Sequence, residues 1–315
     1  MNLKENIEKL PMCNGIYIMK NKYDHILYIG KSKHIKKRVK TYFYKGEKTN
    51  KLEKLTKEVC KIDHIKTDTE IEALLLECEM IKKHKPPYNR LLKNHEKYCY
   101  FTIDKGKSKM KVTFDKEEIS FGPYKDRYMI EDIISFFQRV YPIKYDEEKN
   151  IYDFKYNIIP NRMNNEKHIK DHMDNVEKIF KDHMEIFGNI LKEKMISHAK
   201  KMEFERANIY KKAIEILDYA KRMNELEGLL NDRYFIATEE ICEDKIKVLV
   251  IGNSDLLYRK IYYKKENYEN EIMDHIKNKL DKNNKVPIEK ENIDRILILK
   301  EYLRKKENIN EIKMP

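Results

Sequence analysis

The chain has 315 residues, 66 of them Lys or Arg and 54 Asp or Glu, which gives a formal charge of +12 and a pI near 9.1. A hydrophobic share of 41% is enough for several modest cores, so a wholly disordered chain is excluded, and the length fits two or three domains. No apolar run approaches the roughly 20 residues that a membrane span needs, and Met1 to Asn6 opens no signal-peptide pattern, so a cytoplasmic protein is expected.

In chain order, residues 16–19 and 26–29 are two short β-prone runs joined by the turn-rich Asn21-Lys22-Tyr23-Asp24, which predicts a hairpin. A basic helix follows Gly30, then a strand over 62–66 and a helix over 69–84 that ends at Pro86-Pro87. Residues 121–123 read as a Phe-Gly-Pro turn before a helix through Ile130, Ile133, Ile134 and Phe137. The polar, aperiodic stretch 146–166 reads as a linker or loose loop. Two long helices are expected over 166–194 and 197–230. Strands follow over 233–238, 245–251 and 256–263, then a helix over 269–280 and a strand over 295–299. The five cysteines (Cys13, Cys60, Cys78, Cys99, Cys242) are odd in number, widely spaced and free of any CxxC pair, so reduced, mostly buried thiols are expected.

The positive charge is concentrated. Residues 1–100 hold 23 Lys and Arg against 13 Asp and Glu, a surplus of ten out of the total of twelve. The density peaks over 31–40, where six of ten residues are basic and none is acidic. At helical spacing, Lys33, Lys36, Lys37 and Lys40 form one face, with Ile35 and Val39 on another. A solvated lysine face would look the same, but concentration in one segment favours a polyanion partner, most simply nucleic acid.

Gly15-Ile16-Tyr17 and Tyr28-Ile29-Gly30 sit on the two strands of the expected hairpin, followed by Lys31, Arg38, Tyr42, Glu77 in a helix, and Pro87-Tyr88-Asn89. Together these residues resemble the GIY-YIG nuclease family in its UvrC form, over about Leu10 to Ile103. Physical chemistry supports the same residues. Glu77 lies at the edge of an apolar stripe, where a carboxylate is costly unless paired or coordinated. A salt bridge to a lysine or a hard cation, Mg2+ or Mn2+, would each meet that need. Arg38 is one of only 11 arginines beside 55 lysines, and a planar guanidinium can grip a phosphate through two parallel hydrogen bonds.

The resemblance implies that Tyr17 and Tyr28 line the site. One of them, Tyr28 by preference, polarises or deprotonates the attacking water, with Lys31 and the metal lowering its pKa. It also implies that Arg38 stabilises the transition state, Glu77 holds the metal, and Tyr42 and Asn89 position substrate and order the site. DNA contacts are expected from Lys33, Lys36, Lys37 and Lys40.

Further on, Met195 through Ala207, with Tyr210 and Ile214, resembles the UVR motif that docks UvrC onto UvrB. Glu203, Phe204 and Glu205 are the expected UvrB contacts, although an ordinary amphipathic coil would read similarly. Residues 156–165, where UvrC relatives carry a cysteine cluster, contain no cysteine, so no iron–sulfur cluster is expected. Residues 233–299 resemble the β-rich portion that follows the UVR segment. The second, RNase H-like nuclease and the helix-hairpin-helix elements are not found after it, so a single incision, on the 3′ side of a lesion, is expected.

The reading is therefore an α+β protein in four segments. Residues 1–104 are a small GIY-YIG α/β nuclease domain, 105–192 a helical linker region, 193–230 a UVR helical hairpin, and 231–315 a β-rich α+β region. The expected function is a metal-dependent DNA endonuclease acting with UvrB in nucleotide excision repair. The alternatives are a UvrB-independent structure-specific nuclease and a non-catalytic adaptor that binds UvrB and DNA.

Overall fold

In the computed structural model, the described residues are 2–44, 49–90, 92, 97–156, 166–230, 233–279, 287–306 and 309–312. The architecture is α+β, and the chain divides into two compact units: Met1–His95 together with Gly228–Pro315, and Glu96–Glu227. This cut differs from the four-segment reading. No helix among the described residues is long and apolar enough to cross a membrane.

The first unit opens with α1 (Leu3–Glu8) and an antiparallel sheet of order β2-β1-β3, from β1 (Gly15–Lys20), β2 (Ile26–Ser32) and β3 (Lys61–Lys66). The expected hairpin is present, with Tyr17 opposite Gly30. On one side of the sheet, α2 (Ile35–Tyr44) buries Ile35 and Val39 against Tyr17, Met19 and Ile62, with α3 (Asn50–Glu58) adding Leu55. On the other side, α4 (Glu70–His84) packs Ile81 against Ile16, Ile18 and Ile29. Thr69 and Glu72 form a reciprocal capping box at its start, and Lys85 in the left-handed region ends it before Pro86.

The same unit contains a second antiparallel sheet of order β11-β10-β9-β12, built from β9 (Tyr234–Cys242), β10 (Lys245–Gly252), β11 (Asp255–Tyr263) and β12 (Ile309–Ile312), with α9 (Glu269–Lys279) and α10 (Ile293–Lys305). The expected strand over 295–299 is instead the middle of α10. Ile293, Ile296 and Leu299 are its buried positions, a spacing of three that a helix turns to one side and a strand does not.

In the second unit, β4 (Cys99–Asp104), β5 (Lys109–Thr113) and β6 (Ser120–Tyr124) form a sheet of order β5-β4-β6, and α5 (Arg127–Arg139) follows. The Phe-Gly-Pro segment read as a turn lies within β6, where the Gly122–Pro123 peptide is cis. The supposed linker opens with a hairpin, β7 (Lys144–Asp146) and β8 (Ile151–Asp153). Its Tyr152, with Phe154 just beyond, is buried, while 157–165 lie outside the described residues. Few apolar residues suffice for so short a hairpin, which is why its periodicity was invisible.

The two long helices are displaced from their expected limits. α6 (Glu166–Lys178) runs through a π-helical turn (Ile179–His183) into α7 (Met184–Lys200), and the break comes at 201–203, where Met202 has φ 59°. α8 is Phe204–Leu230. All five cysteines are free, but only Cys78 and Cys99 are buried; Cys13 is half-buried, and Cys60 and Cys242 are exposed. The expectation of mostly buried thiols is therefore corrected, because Cys60 and Cys242 stand at strand ends, where side chains meet solvent.

Candidate active site

Three phenols converge above the β1–β2 hairpin. Tyr17 from β1, Tyr28 from β2 and Tyr42 from α2 have ring centroids 5.9 to 6.1 Å apart. The Tyr17 and Tyr42 hydroxyls share a hydrogen bond of 2.8 Å, and the Tyr42 hydroxyl donates to Tyr28 across 3.5 Å. Tyr17 and Tyr42 are buried while Tyr28 is half-buried, so Tyr28 is the phenol of the three that faces outward most.

Gly30 makes this crowding possible. A Cβ there would lie 2.4 Å from the Tyr17 hydroxyl and 2.9 Å from the Tyr28 ring. Gly15, with φ 152°, brings the start of β1 so close to β3 that a Cβ would fall 2.2 Å from the Ile65 carbonyl oxygen. The glycines of the two triplets thus serve the packing of the tyrosines and strands.

Arg38, exposed on α2, holds its guanidinium over the Tyr42 ring at 5.3 Å, and no carboxylate pairs with it among the described residues. Tyr42 foremost raises its pKa, so its charge is secure and open to an anion.

Glu77 comes from α4 and lies near enough to Tyr28 for its charge to act on that phenol. It accepts a hydrogen bond of 2.9 Å from the Lys31 backbone N–H, and burial pushes its carboxyl above the ordinary carboxylate range against that bond. The Lys31 ammonium is engaged elsewhere, 2.5 Å from Glu70, which also holds Lys33 at 2.9 Å. Burial opposes ionisation of Glu70, but the two lysines pull its carboxyl down.

The expected lowering of the Tyr28 pKa by Lys31 is therefore not met. Burial first, then Tyr42 and Glu77, push the phenol upward, and any lowering would have to be supplied by a bound cation. Burial likewise drives Tyr17 upward.

Asn89 is buried and clamps the centre of β2. Its Oδ1 accepts from the Ile29 N–H at 3.0 Å, and its Nδ2 donates to the Ile29 carbonyl at 2.8 Å. That pair of bonds fixes the strand segment between Tyr28 and Gly30.

The lysine run is more occupied than its spacing suggested. Lys33 precedes α2 rather than lying on it. Lys36 and Lys40 both reach Glu8 on α1, at 3.1 and 2.6 Å, while Lys37 is exposed. These exposed pairs are weak enough to exchange for phosphate. Glu8 and Glu70 were missed as partners because nothing in sequence spacing brings α1 or the start of α4 to the run.

In the second unit, Glu203 meets His198 at 2.5 Å and Arg206 at 3.6 Å, closing the turn between α7 and α8. Phe204 stands 67% exposed at the start of α8 with Glu205 beside it in solvent. A cavity of about 500 Å³ lies between the two helices, lined by Met195, Ile196, Ala199 and Ala207.

Residues 13–90 match the family model of the UvrC-like GIY-YIG domain. The UvrABC system protein C of Clostridioides difficile is 35% identical over 45% of this chain and 25% of its own length. That of Clostridium botulinum strain Hall is 39% identical over 45% and 24%. The chain thus spans about a quarter of the length of these relatives. The crystal structure of the GIY-YIG N-terminal endonuclease domain of UvrC from Thermotoga maritima, bound to magnesium as its catalytic divalent cation, is 34% identical. It covers 28% of this chain and 96% of its own, at a TM-score of 0.26. Through residues 13–90, the chain belongs to the UvrC-like GIY-YIG nuclease family.

Proposed function

We propose that this protein is a metal-dependent DNA endonuclease of the UvrC type, which hydrolyses one phosphodiester on the 3′ side of a lesion together with UvrB. The observation that carries this reading is the gathering, about the hairpin, of three phenols, an arginine with no carboxylate partner among the described residues, and a half-buried carboxylate bonded to the backbone of β2.

The residues fit a divalent cation. Among the described residues, Glu77 is held by a single backbone N–H that leaves its second oxygen uncommitted, and no group of three or more His, Cys, Asp or Glu gathers to hold a metal. A single carboxylate with water completing the shell suits Mg2+ or Mn2+. When bound, such an ion stabilises charge on the phosphate and leaving oxygens.

The chain's own groups do the rest. Arg38 grips the phosphate in the pentavalent transition state. The outward-facing Tyr28 hydroxyl accepts a hydrogen bond from the attacking water and so polarises it, held in place by its contact with Tyr42, and the water's proton passes to solvent. Lys31, neutralised by Glu70, orders the strand through its backbone, and Asn89 holds that strand in register. Lys33, Lys36, Lys37 and Lys40 lend the surface that tracks DNA phosphates.

In the segment reading, 1–104 performs the chemistry, 105–192 links, 193–230 docks UvrB through Glu203, Phe204 and Glu205, and 231–315 completes the chain. Incision of a lesion-bearing duplex with Mg2+, with and without UvrA and UvrB, tests it. A 3′ cut that needs the partners supports the reading. Partner-independent cutting of branched DNA supports a free-standing nuclease, and binding without any cut supports an adaptor.

A further inference from the structure

The helix that carries Glu77 is apolar on nearly every side, a pattern that only a helix buried on more than one face should have. The β1–β2 sheet covers one face, through Leu76, Met80 and Ile81. Another is covered by the C-terminal segment of the same unit, where α10 lies along α4.

Ion pairs fasten both ends of α4 to this C-terminal segment. Near the C-terminus of α4, the Lys82 Nζ is 3.0 Å from Asp294 and donates to the Glu291 carbonyl at 2.7 Å. At the N-terminus, Lys247 of β10, with its side chain only 8% exposed, places Nζ 2.5 Å from Asp68 and 3.3 Å from Glu72 Oε1. Arg259 of β11 adds a contact to the same Glu72 oxygen at 3.8 Å. The other Glu72 oxygen accepts from the Thr69 backbone N–H and hydroxyl at 3.1 and 3.0 Å, so the carboxylate is fully used.

A buried lysine between two carboxylates adds little net stability over apolar packing, yet it fixes where its partners sit. Glu77 follows Glu72 by five residues, about 7.5 Å along the helix axis. Catalytic groups tolerate only about 0.5 Å of misplacement, so whatever sets the height and rotation of α4 also sets the site.

We infer that Lys247 is a positioning residue for the nuclease site. By holding Asp68 and Glu72, it locks α4 so that Glu77 meets the tyrosine cluster in the geometry that binds the cation. This rests on the assignment of Glu77 as the cation ligand.

The test compares full-length wild type, Lys247→Met and Lys247→Arg, with Lys264→Met as a surface control whose partner is Glu240. Mn2+ affinity is read by electron paramagnetic resonance, and nicking is resolved into kcat and KM. Lys247→Met should weaken Mn2+ binding and lower kcat by about tenfold or more, as loss of a group supporting a metal ligand does, with KM for DNA almost unchanged. Lys247→Arg should recover most of both, and Lys264→Met should match wild type.

Unchanged Mn2+ affinity in folded Lys247→Met would overturn the assignment, as would a raised KM with kcat intact, which would make the lysine a DNA contact. Should Lys247→Met fail to fold, Glu72→Gln breaks the same ion pair and the same Mn2+ outcomes decide. If wild type binds Mn2+ but cuts no DNA, the nuclease reading fails, while weaker Mn2+ binding by Lys247→Met still supports the positioning role.

Discussion

Glu72 and Glu77 stand five residues apart on α4, both withdrawn from water, and they are treated in opposite ways. Glu72 has a partner for each oxygen: Thr69 on one, Lys247 and Arg259 on the other. Glu77 has one backbone N–H, and burial lifts its proton affinity. A satisfied buried carboxylate is part of the scaffold, whereas one left short of positive charge marks a place where a cation belongs.

The contrast can be tested from the largest effect downward. Glu77→Ala should reduce nicking by roughly 10³-fold or more while DNA affinity stays nearly constant, since the cation that would stabilise the transition state loses its protein ligand. Wild-type-like nicking would erase the distinction between the two glutamates. Glu72→Ala should cost about 3 kcal/mol in urea unfolding, because it strips a buried ion pair of one partner and opens the capping box. A loss below 1 kcal/mol would show that Lys247 is content with Asp68 alone.

The exposed Phe204 extends the rule to an apolar side chain. Phe204→Ala should weaken UvrB association by about 2 kcal/mol, roughly thirtyfold, without lowering the unfolding midpoint. An unchanged dissociation constant would reduce the 195–207 segment to a packing hairpin. The smallest effect concerns pH. The Glu77 carboxyl binds a proton more readily folded than unfolded, so its contribution favours the fold below the ordinary carboxylate range and is lost as pH rises through the elevated folded value. Without divalent cation, Glu77→Gln should therefore raise the midpoint modestly at neutral pH, a gain that fades toward pH 4. A gain independent of pH would mean that the charge is not what burial penalises.

Much of the site was legible in sequence because its parts are local. The two triplets fall on one hairpin, α2 follows directly, and α4 runs close to the limits expected for it. The reason Gly30 must be glycine was not legible, since it depends on two rings meeting across the sheet. Glu8 and Glu70 were equally hidden as partners of the lysine run, because contact across elements leaves no trace in spacing.

The apolar stripe of α4 was visible, but the second covering layer from α10 was not. The 295–299 run was short enough to pass for a strand. Strands β4 and β5 escaped because Cys99–Asp104 and Lys109–Thr113 are linked by a lysine-rich turn without a strong hairpin signal.

The most direct measurement is Mn2+ binding by electron paramagnetic resonance to the full-length protein and to Glu77→Gln. One Mn2+ per chain, displaced by Mg2+ and lost in Glu77→Gln, is the result expected. Stoichiometric binding that survives Glu77→Gln, or no binding by the wild type, would contradict the assignment of this carboxylate to a cation.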